Sequence, residues 1–249
     1  MPESRPETIE RADYGLDAPG VVRTLSILGI IAVVLGIAAG HGSLGIPARL
    51  ALSIGSALVW AGWAMIASSL LMILSSRHGK VRARDAMLDR LGFTGNEIVV
   101  DIGCGHGLML IGAAKRIPNG KAIGIDLWSQ VDQKSNSAAA TLANAKAEGV
   151  SDRVEVRDGD MRDLPLDSGS VDIVVSSLAI HNVPTSEDRR KAIREIVRVL
   201  KPGGRVGIID IAHVGGYARA FREAGMSDVS LHGFTPWIYP PTRVLTAIK

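Results

Sequence analysis

Two long stretches without charge constrain this chain more than any other feature. Between Arg23 and Arg49 the only ionisable side chain is His41, and Arg49 and Arg77 enclose 27 uncharged residues. A helix needs about 20 apolar residues to cross a hydrocarbon core about 30 Å thick. The second stretch meets that length comfortably, and the first meets it when Val21, Val22 and residues 40–43 serve as interface. Residues 41–47 between them are few and rich in turn formers, which predicts antiparallel neighbours. The expectation is a two-helix transmembrane hairpin over residues 24–76, with the bilayer as its partner. Gly36 and Gly40, and Ala51 and Gly55, are four apart and suit close helix packing. Trp60 and Trp63 fall mid-span, away from an interfacial belt. A buried helical pair inside a soluble domain is the alternative, but 27 uncharged residues exceed what such a core helix normally shows. A mean hydropathy of +0.22 alongside 21% charged residues fits apolar content concentrated in one part of the chain.

A cleaved leader is not expected, because residues 1–23 hold five acids against three arginines, the wrong charge for a signal peptide. Orientation follows from basic residues at the span ends. Arg77, Lys80, Arg82 and Arg84 follow the second span, whereas the connecting loop offers Arg49. The positive-inside rule then puts both termini in the cytoplasm. The domains expected are a cytosolic tail (1–23), the hairpin (24–76), a basic juxtamembrane helix (77–95) and a soluble domain (96–249). A net charge of +3 is too small to argue for nucleic acid, and a single cysteine, Cys104, excludes an internal disulfide and multi-cysteine metal sites. No metal site is expected.

In the soluble part, strand and helix signals alternate. Residues 96–102, 121–127, 153–156, 171–176 and 205–211 read as buried strands. Helical patterns fall at 108–115, 136–147, 187–200 and 217–224, and short strands near 228–233 and 243–248 finish the chain. Lys201-Pro-Gly-Gly204 is expected to end the third of these helices, at 187–200. This alternation predicts an α/β fold, a Rossmann-like, doubly wound and mostly parallel seven-stranded sheet preceded by the hairpin.

The first strand runs into Asp101-Ile-Gly103-Cys-Gly105-His-Gly107, where glycines let a ligand approach the backbone and the next helix offers unpaired N–H groups. Leu108 stands where a dinucleotide fingerprint would place its last glycine, which argues against an NAD enzyme. Nineteen residues after Gly107 the second strand ends in Asp126, a carboxylate able to take two ribose hydroxyls. The third strand leads to Asp158-Gly159-Asp160-Met161 and the fourth to Ser176-Ser177. Polar or glycine residues thus close four strands at the sheet edge where open α/β folds bind ligands.

These stretches resemble a class I S-adenosylmethionine-dependent methyltransferase, of the kind grouped with quinone and small-molecule methylating enzymes. The resemblance is carried by Val-Val-Asp-Ile-Gly-Cys-Gly-His-Gly (99–107), Gly-Ile-Asp (124–126), Asp-Gly-Asp-Met-Arg-Asp-Leu-Pro (158–165), Val-Asp-Ile-Val-Val-Ser (171–176) and Arg-Val-Leu-Lys-Pro-Gly-Gly (198–204). It implies S-adenosylmethionine as cofactor. Asp101, Gly103 and Gly105 would line its methionine part, with Cys104 filling space behind the glycines. Asp126 would take the ribose, and Asp160 and Met161, after Gly159, the adenine edge. Leu127 and Trp128 would pack beside the adenosine, and Ser177, following Ser176, would face the methyl group.

Methyl transfer from a sulfonium needs a positioned nucleophile, and a general base only where that nucleophile carries a proton of high pKa. His181, just past the fourth strand, is the foremost candidate base, with Asn182, His213 and Tyr217 behind it. His106, inside the glycine loop, is expected to face solvent. The segment after Ile211 is too short to supply much of a lid, so residues 12–19, with Tyr14 among them, are expected to fold over the site. The Ser-Ser-Leu-Ala sequence after the fourth strand lacks the Asn-Pro-Pro-Tyr type of tetrapeptide, which argues against DNA and protein-glutamine acceptors. The expected activity is membrane-anchored transfer of a methyl group to a small hydrophobic or lipid-like acceptor: a quinone, phenol, thiol or lipid head group. A non-catalytic SAM-binding membrane sensor or assembly factor is the alternative, and a homodimer through the hairpins is compatible with the small-residue pattern.

Overall fold

A computed structural model describes residues 12–41, 47–129 and 136–249. Its first element, α1 (Pro19–Gly40), packs against α2 (Ala48–Leu74). The seam is built from glycines. A Cβ on Gly36 would lie 2.6 Å from the Gly55 carbonyl and one on Gly62 would lie 2.6 Å from the Gly29 carbonyl, so only glycine allows this approach. Val22, Gly29 and Gly36 on α1, and Gly55, Gly62 and Ser69 on α2, are buried at steps of seven, and Ser26 Oγ donates to Ser69 Oγ at 3.1 Å. The four-apart pairs also meet there: Ala51 and Gly55 are both buried, and a Cβ on Gly55 would lie 2.6 Å from the Gly36 carbonyl and 3.1 Å from the Gly40 nitrogen. The remaining faces are open: Trp60 is 75% exposed, and Leu28, Val34, Leu52 and Leu70 are also exposed. This is the opposite of a buried helical pair in a soluble core.

The second helix does not stop at its apolar end. A π turn (Ser75–Gly79) carries it into α3 (Lys80–Leu88) and a short 3₁₀ turn, giving a 44-residue rod from Ala48 to Leu91. At 1.5 Å per residue it is about 66 Å long. Its far end belongs to the soluble core, where Met87, Leu88 and Leu91 are buried. Gly207 makes room for it, since a Cβ there would lie 2.3 Å from the Met87 sulfur.

The sheet contains β1 (Ile98–Ile102), β2 (Lys121–Asp126), β3 (Val154–Asp158), β4 (Val171–Ser177), β5 (Leu200–Asp210), β6 (Ser227–Thr235) and β7 (Thr242–Ile248). Their order is β3-β2-β1-β4-β5-β7-β6, with β1 to β5 parallel and β7 antiparallel to both its neighbours. The expected seven-stranded, mostly parallel sheet is what forms. Lys201-Pro-Gly-Gly204 lies within the first half of β5, so helix α6 (Ser186–Val199) ends directly into a strand. Helices α4 (Leu108–Ala114) and α5 (Ala138–Ala147) share one sheet face with α3. Helices α6 and α7 (Val214–Glu223) cover the other, and each face has its own apolar core. The strand order reverses between β1 and β4, so the crevice at their carboxyl ends is where a ligand is expected.

Candidate active site

The glycine loop hangs from the tip of β1. Asp101 is buried, and one of its carboxylate oxygens accepts from the Leu110 N–H at 2.8 Å while the other, Oδ1, has no hydrogen-bond partner among the described residues. Burial pushes this carboxyl up to about 8, against the Leu110 hydrogen bond, and the charge of Asp126 adds to the rise. Gly103 has φ +71°, and a Cβ there would sit 2.3 Å from the Ala179 Cβ, so the glycine loop and the loop after β4 touch. Cys104 is buried and its thiol is pushed well above its ordinary value by that burial, which makes it space-filling rather than nucleophilic.

At the tip of β2, Asp126 accepts from the Gly105 N–H at 2.8 Å, the Trp128 N–H at 2.6 Å and Asn136 Nδ2 at 3.3 Å. A carboxylate has about four lone-pair sites, so roughly one remains for a ligand. Asp160 is held by Arg162 through Nε and Nη2, and that guanidinium keeps its carboxyl below the usual range.

Across the crevice, β4 and β5 build a second unit. His181 Nδ1 lies 2.6 Å from Asp210 Oδ1. Asp210 is buried at the tip of β5. It also accepts from the His181 N–H at 3.0 Å, the Ile211 N–H at 2.8 Å and the Tyr217 hydroxyl at 3.2 Å. That Nδ1 contact is close but off the line of a hydrogen bond, and the imidazole is held beside the carboxylate by it and by the His181 backbone N–H. Tyr217 is itself buried, and its hydroxyl is pushed up by burial and by Asp210, so it steadies the carboxylate.

The segment at residues 12–18 lies against this crevice. Asp13 and Asn144 exchange hydrogen bonds, Asp13 N–H to Asn144 Oδ1 at 2.9 Å and Asn144 Nδ2 to the Asp13 carbonyl at 2.8 Å. Lys80, buried despite its charge, donates to the Tyr14 and Gly15 carbonyls at 2.8 and 2.7 Å and to Asp17 at 3.1 Å. Ser76 joins Asp17, and Tyr14 donates to Glu148 at 3.2 Å. His106 does not face solvent as expected: it is buried, with Nδ1 3.2 Å from the Asp13 carbonyl, because this segment packs over it. Lys80 and Arg84, read from the sequence as part of a membrane-surface cluster, are both buried in the fold. Arg77 and Arg82 of that cluster are exposed.

One cavity of ≈ 390 Å³ joins these parts. Of the expected residues, Asp101, Gly103, Cys104, Gly105, Asp126 and Leu127 line it. So do Gly159, Asp160, Met161, Ser177, His181 and Tyr14. Trp128, Ser176 and Tyr217 are not among the lining residues. The Trp128 indole donates to Asp158, and the Ser176 hydroxyl turns inward to the Ile102 carbonyl. His213 caps α7 and lines a separate depression. Asp210 escaped the sequence reading because it sits inside an apolar run, although an acid at that strand tip repeats the pattern of Asp101 and Asp126.

Residues 100–208 match a family model described as a methyltransferase domain. The carboxyl-edge site described above falls largely within that match. Residues 100–208 are thus similar to a methyltransferase domain over somewhat less than half of the chain. Over 130 residues the chain is 32% identical to a demethylmenaquinone methyltransferase of Lactobacillus johnsonii, covering 51% of this chain and 49% of that protein. Over 133 residues it is 32% identical to the chloroplastic 2-phytyl-1,4-beta-naphthoquinone methyltransferase of Arabidopsis thaliana, covering 53% and 48%. The chain thus spans about half the length of the curated relatives it matches. A SAM-dependent methyltransferase from Aquifex aeolicus superposes with a TM-score of 0.56 at 18% identity, covering 73% of this chain and 97% of that one, a likeness of fold.

S-adenosylmethionine is the cofactor that the resemblance implies, and the residues present fit it. The buried Asp101 Oδ1, without a hydrogen-bond partner among the described residues, suits a cationic ammonium group. Gly103 leaves open a cradle that any side chain would fill, and Asp126 retains an acceptor site for a ribose hydroxyl.

Proposed function

We propose that this chain is a membrane-anchored methyltransferase that methylates a quinone-type ring carried on an apolar tail, with His181 as general base. The observation that carries the reading is the His181–Asp210 pair on the wall of the same cavity as Asp101 and Asp126. The names of the two quinone-methylating relatives support the acceptor class. Bound S-adenosylmethionine supplies an electrophilic methyl group on a sulfonium, which departs as a neutral thioether. Asp101, Gly103 and Gly105 would hold its methionine part and Asp126 its ribose, with Met161 and Leu127 beside the adenosine.

His181 Nε2 would take the hydroxyl proton of a reduced, quinol-type ring and so make the ring the nucleophile; where a ring carbon gains the methyl, the hydrogen on that carbon is then lost as a proton and the oxygen regains one. Asp210 stabilises the imidazolium that results, and Ser177 and Leu178 shape the approach. Leu178 is held at φ +52°, a strained conformation for a non-glycine residue directly after the strand tip. The segment at residues 12–18, pinned by Lys80 and Asn144, closes the cofactor end against water.

The anchor is the hairpin, whose two helices are long and apolar enough to span a bilayer and whose outer faces are exposed among the described residues. With Arg23, Arg77 and Arg82 exposed at one end of it, that end and the methyltransferase domain lie in the cytoplasm. Such an anchor holds the site where lipid-phase acceptors concentrate.

Membranes carrying the protein, incubated with methyl-labelled S-adenosylmethionine and separated into organic, aqueous and protein fractions, test this reading. Label is expected in the organic fraction, absent with Asp126→Ala. With His181→Ala it should fall by about 10²-fold or more, the scale of a lost general base. Label confined to the aqueous fraction would overturn the lipid-phase acceptor. No transfer to membranes supplemented with a naphthoquinol, with cofactor still bound, would replace the enzyme by a non-catalytic SAM-binding membrane protein.

A further inference from the structure

The cavity has a wall that the methyl-transfer chemistry does not use. Opposite the strand tips it is closed by Ala18 at the head of α1, Met72 near the cytoplasmic end of α2, and Ile238, Tyr239 and Pro240 of the β6–β7 connection. That connection clasps the transmembrane helix itself. Tyr239 Oη and Ser68 Oγ are 3.1 Å apart, and Ser75 Oγ donates to the Tyr239 carbonyl at 3.4 Å. A Cβ on Gly79 would lie 1.7 Å from the Trp237 carbonyl, so Gly79 is needed for the approach. Ser68, Met72, Ser75 and Gly79 follow helical steps of four, three and four, so one face of the helix meets the connection and the cavity together.

The depth of this contact decides its meaning. Ser68 precedes Arg77 by nine residues, about 14 Å along a helix. The interfacial layer on each side of a bilayer is only about 5–8 Å thick. With Arg77 at the head groups, Tyr239 therefore reaches the upper acyl region. The outward side chains of the same hairpin suit that position. Trp237 is 44% and Phe234 60% exposed, with the Arg82 and Arg243 guanidinium groups over their rings at 5.4 and 4.6 Å. Aromatic rings capped by cations are what a protein presents to an interface, ring toward the chains and charge toward the head groups.

We infer that the β6–β7 connection is inserted in the cytoplasmic leaflet and forms, with Ala18 and Met72, a lateral portal. Through it the apolar tail of a membrane-resident acceptor passes from the bilayer into the cavity. The inference rests on the membrane-anchored reading above. The ring travels to His181 while the tail stays between Met72 and Tyr239, so the acceptor never crosses water. Continuity supports a tail as occupant: the portal opens beside the exposed Leu70, Leu71 and Leu74 of the helix that carries Met72.

The test uses the full chain in phospholipid vesicles with a naphthoquinone whose isoprenoid tail bears a diazirine. After irradiation, adducts are mapped by mass spectrometry. Adducts on Met72 and residues 238–240 are expected, and they should fall at least fivefold in Met72→Trp or Ile238→Trp, which plug the gap from opposite sides. Adducts confined to outward residues such as Trp60 and Leu71 would overturn the portal. Turnover separates this from the proposed reaction. Both plugs should slow methylation of the tailed quinol at least tenfold and leave tail-less 1,4-naphthoquinol within about twofold; equal loss for both acceptors would also overturn it. A wild-type protein that methylates neither acceptor yet gives the portal adducts would refute the reaction and retain the portal.

Discussion

Asp101 and Asp210 close strands of one sheet, β1 and β5, and each is 1% exposed, yet their surroundings differ. Asp210 accepts three hydrogen bonds and pairs with His181, so both its oxygens are engaged within the protein. Asp101 receives one hydrogen bond and keeps an oxygen without a hydrogen-bond partner among the described residues. A buried carboxylate with every lone pair engaged can stay charged and hold a neighbour still. One left short holds its proton or waits for a cation. In the proposed reaction the acceptor side of the crevice is thus complete as the chain folds, whereas the cofactor side would be completed by its ligand.

The largest effect that could break this contrast belongs to Asp210. Asp210→Asn keeps the shape but loses the charge that orients His181 and stabilises its protonated form. Turnover should fall by about 10²–10⁴-fold. Cofactor affinity, measured by calorimetry, should stay within about twofold. An equal loss of affinity would mean that the two sides are not separate.

Asp101 gives the next effect and sharpens the cofactor side. Its carboxyl, pushed up to about 8, is largely protonated at neutral pH in the absence of cofactor. The cationic cofactor should therefore bind more tightly as pH rises toward 8 and release a proton on binding at pH 7. Binding enthalpies in buffers of different ionisation enthalpy read that proton directly. Asp101→Asn should remove the pH dependence and weaken binding about tenfold or more, the scale of one charge-assisted hydrogen bond. Cofactor-free stability depends on pH in the opposite direction. The native carboxyl is raised above its ordinary 3.8. Its contribution is therefore full below about pH 4 and is lost as pH rises through about 8. Thermal melts of wild type and Asp101→Asn across that window should converge at the acid end.

The smallest effect is at Tyr217. Tyr217→Phe removes one donor from Asp210 and leaves the other contacts. Stability should fall by about 1–2 kcal/mol, and turnover by less than tenfold. A loss as large as that of Asp210→Asn would make the hydroxyl a participant in the reaction.

Much of this site was legible from spacing. Asp101, Asp126 and Asp160 each follow a run of strand-forming residues at the same edge of the sheet, and local order along the chain is enough to align them. Asp210 obeys the same rule but sits inside the apolar run Arg205–Ile211, and its partner His181 is 29 residues earlier. Only the pairing of β4 with β5 brings the two together. Lys80 shows the reverse. Its place in a basic cluster after an apolar span reads as a surface charge, but the segment at residues 12–18 turns its carbonyls toward it, a contact between residues more than 60 apart in sequence.

The sequence by itself determined the uncharged spans, the alternation of strand and helix, and the glycine loop with its acids. Those features rest on hydrophobic period, on the backbone freedom of glycine and on composition, all local properties. The tertiary structure decided which buried aspartate is saturated and which is left short. It also decided that Gly29 meets Gly62 in the hairpin seam and that Tyr239 reaches α2 at Ser68. These depend on distances between residues far apart in the chain, set by sheet pairing and helix packing, and no period or motif in the sequence encodes such a distance.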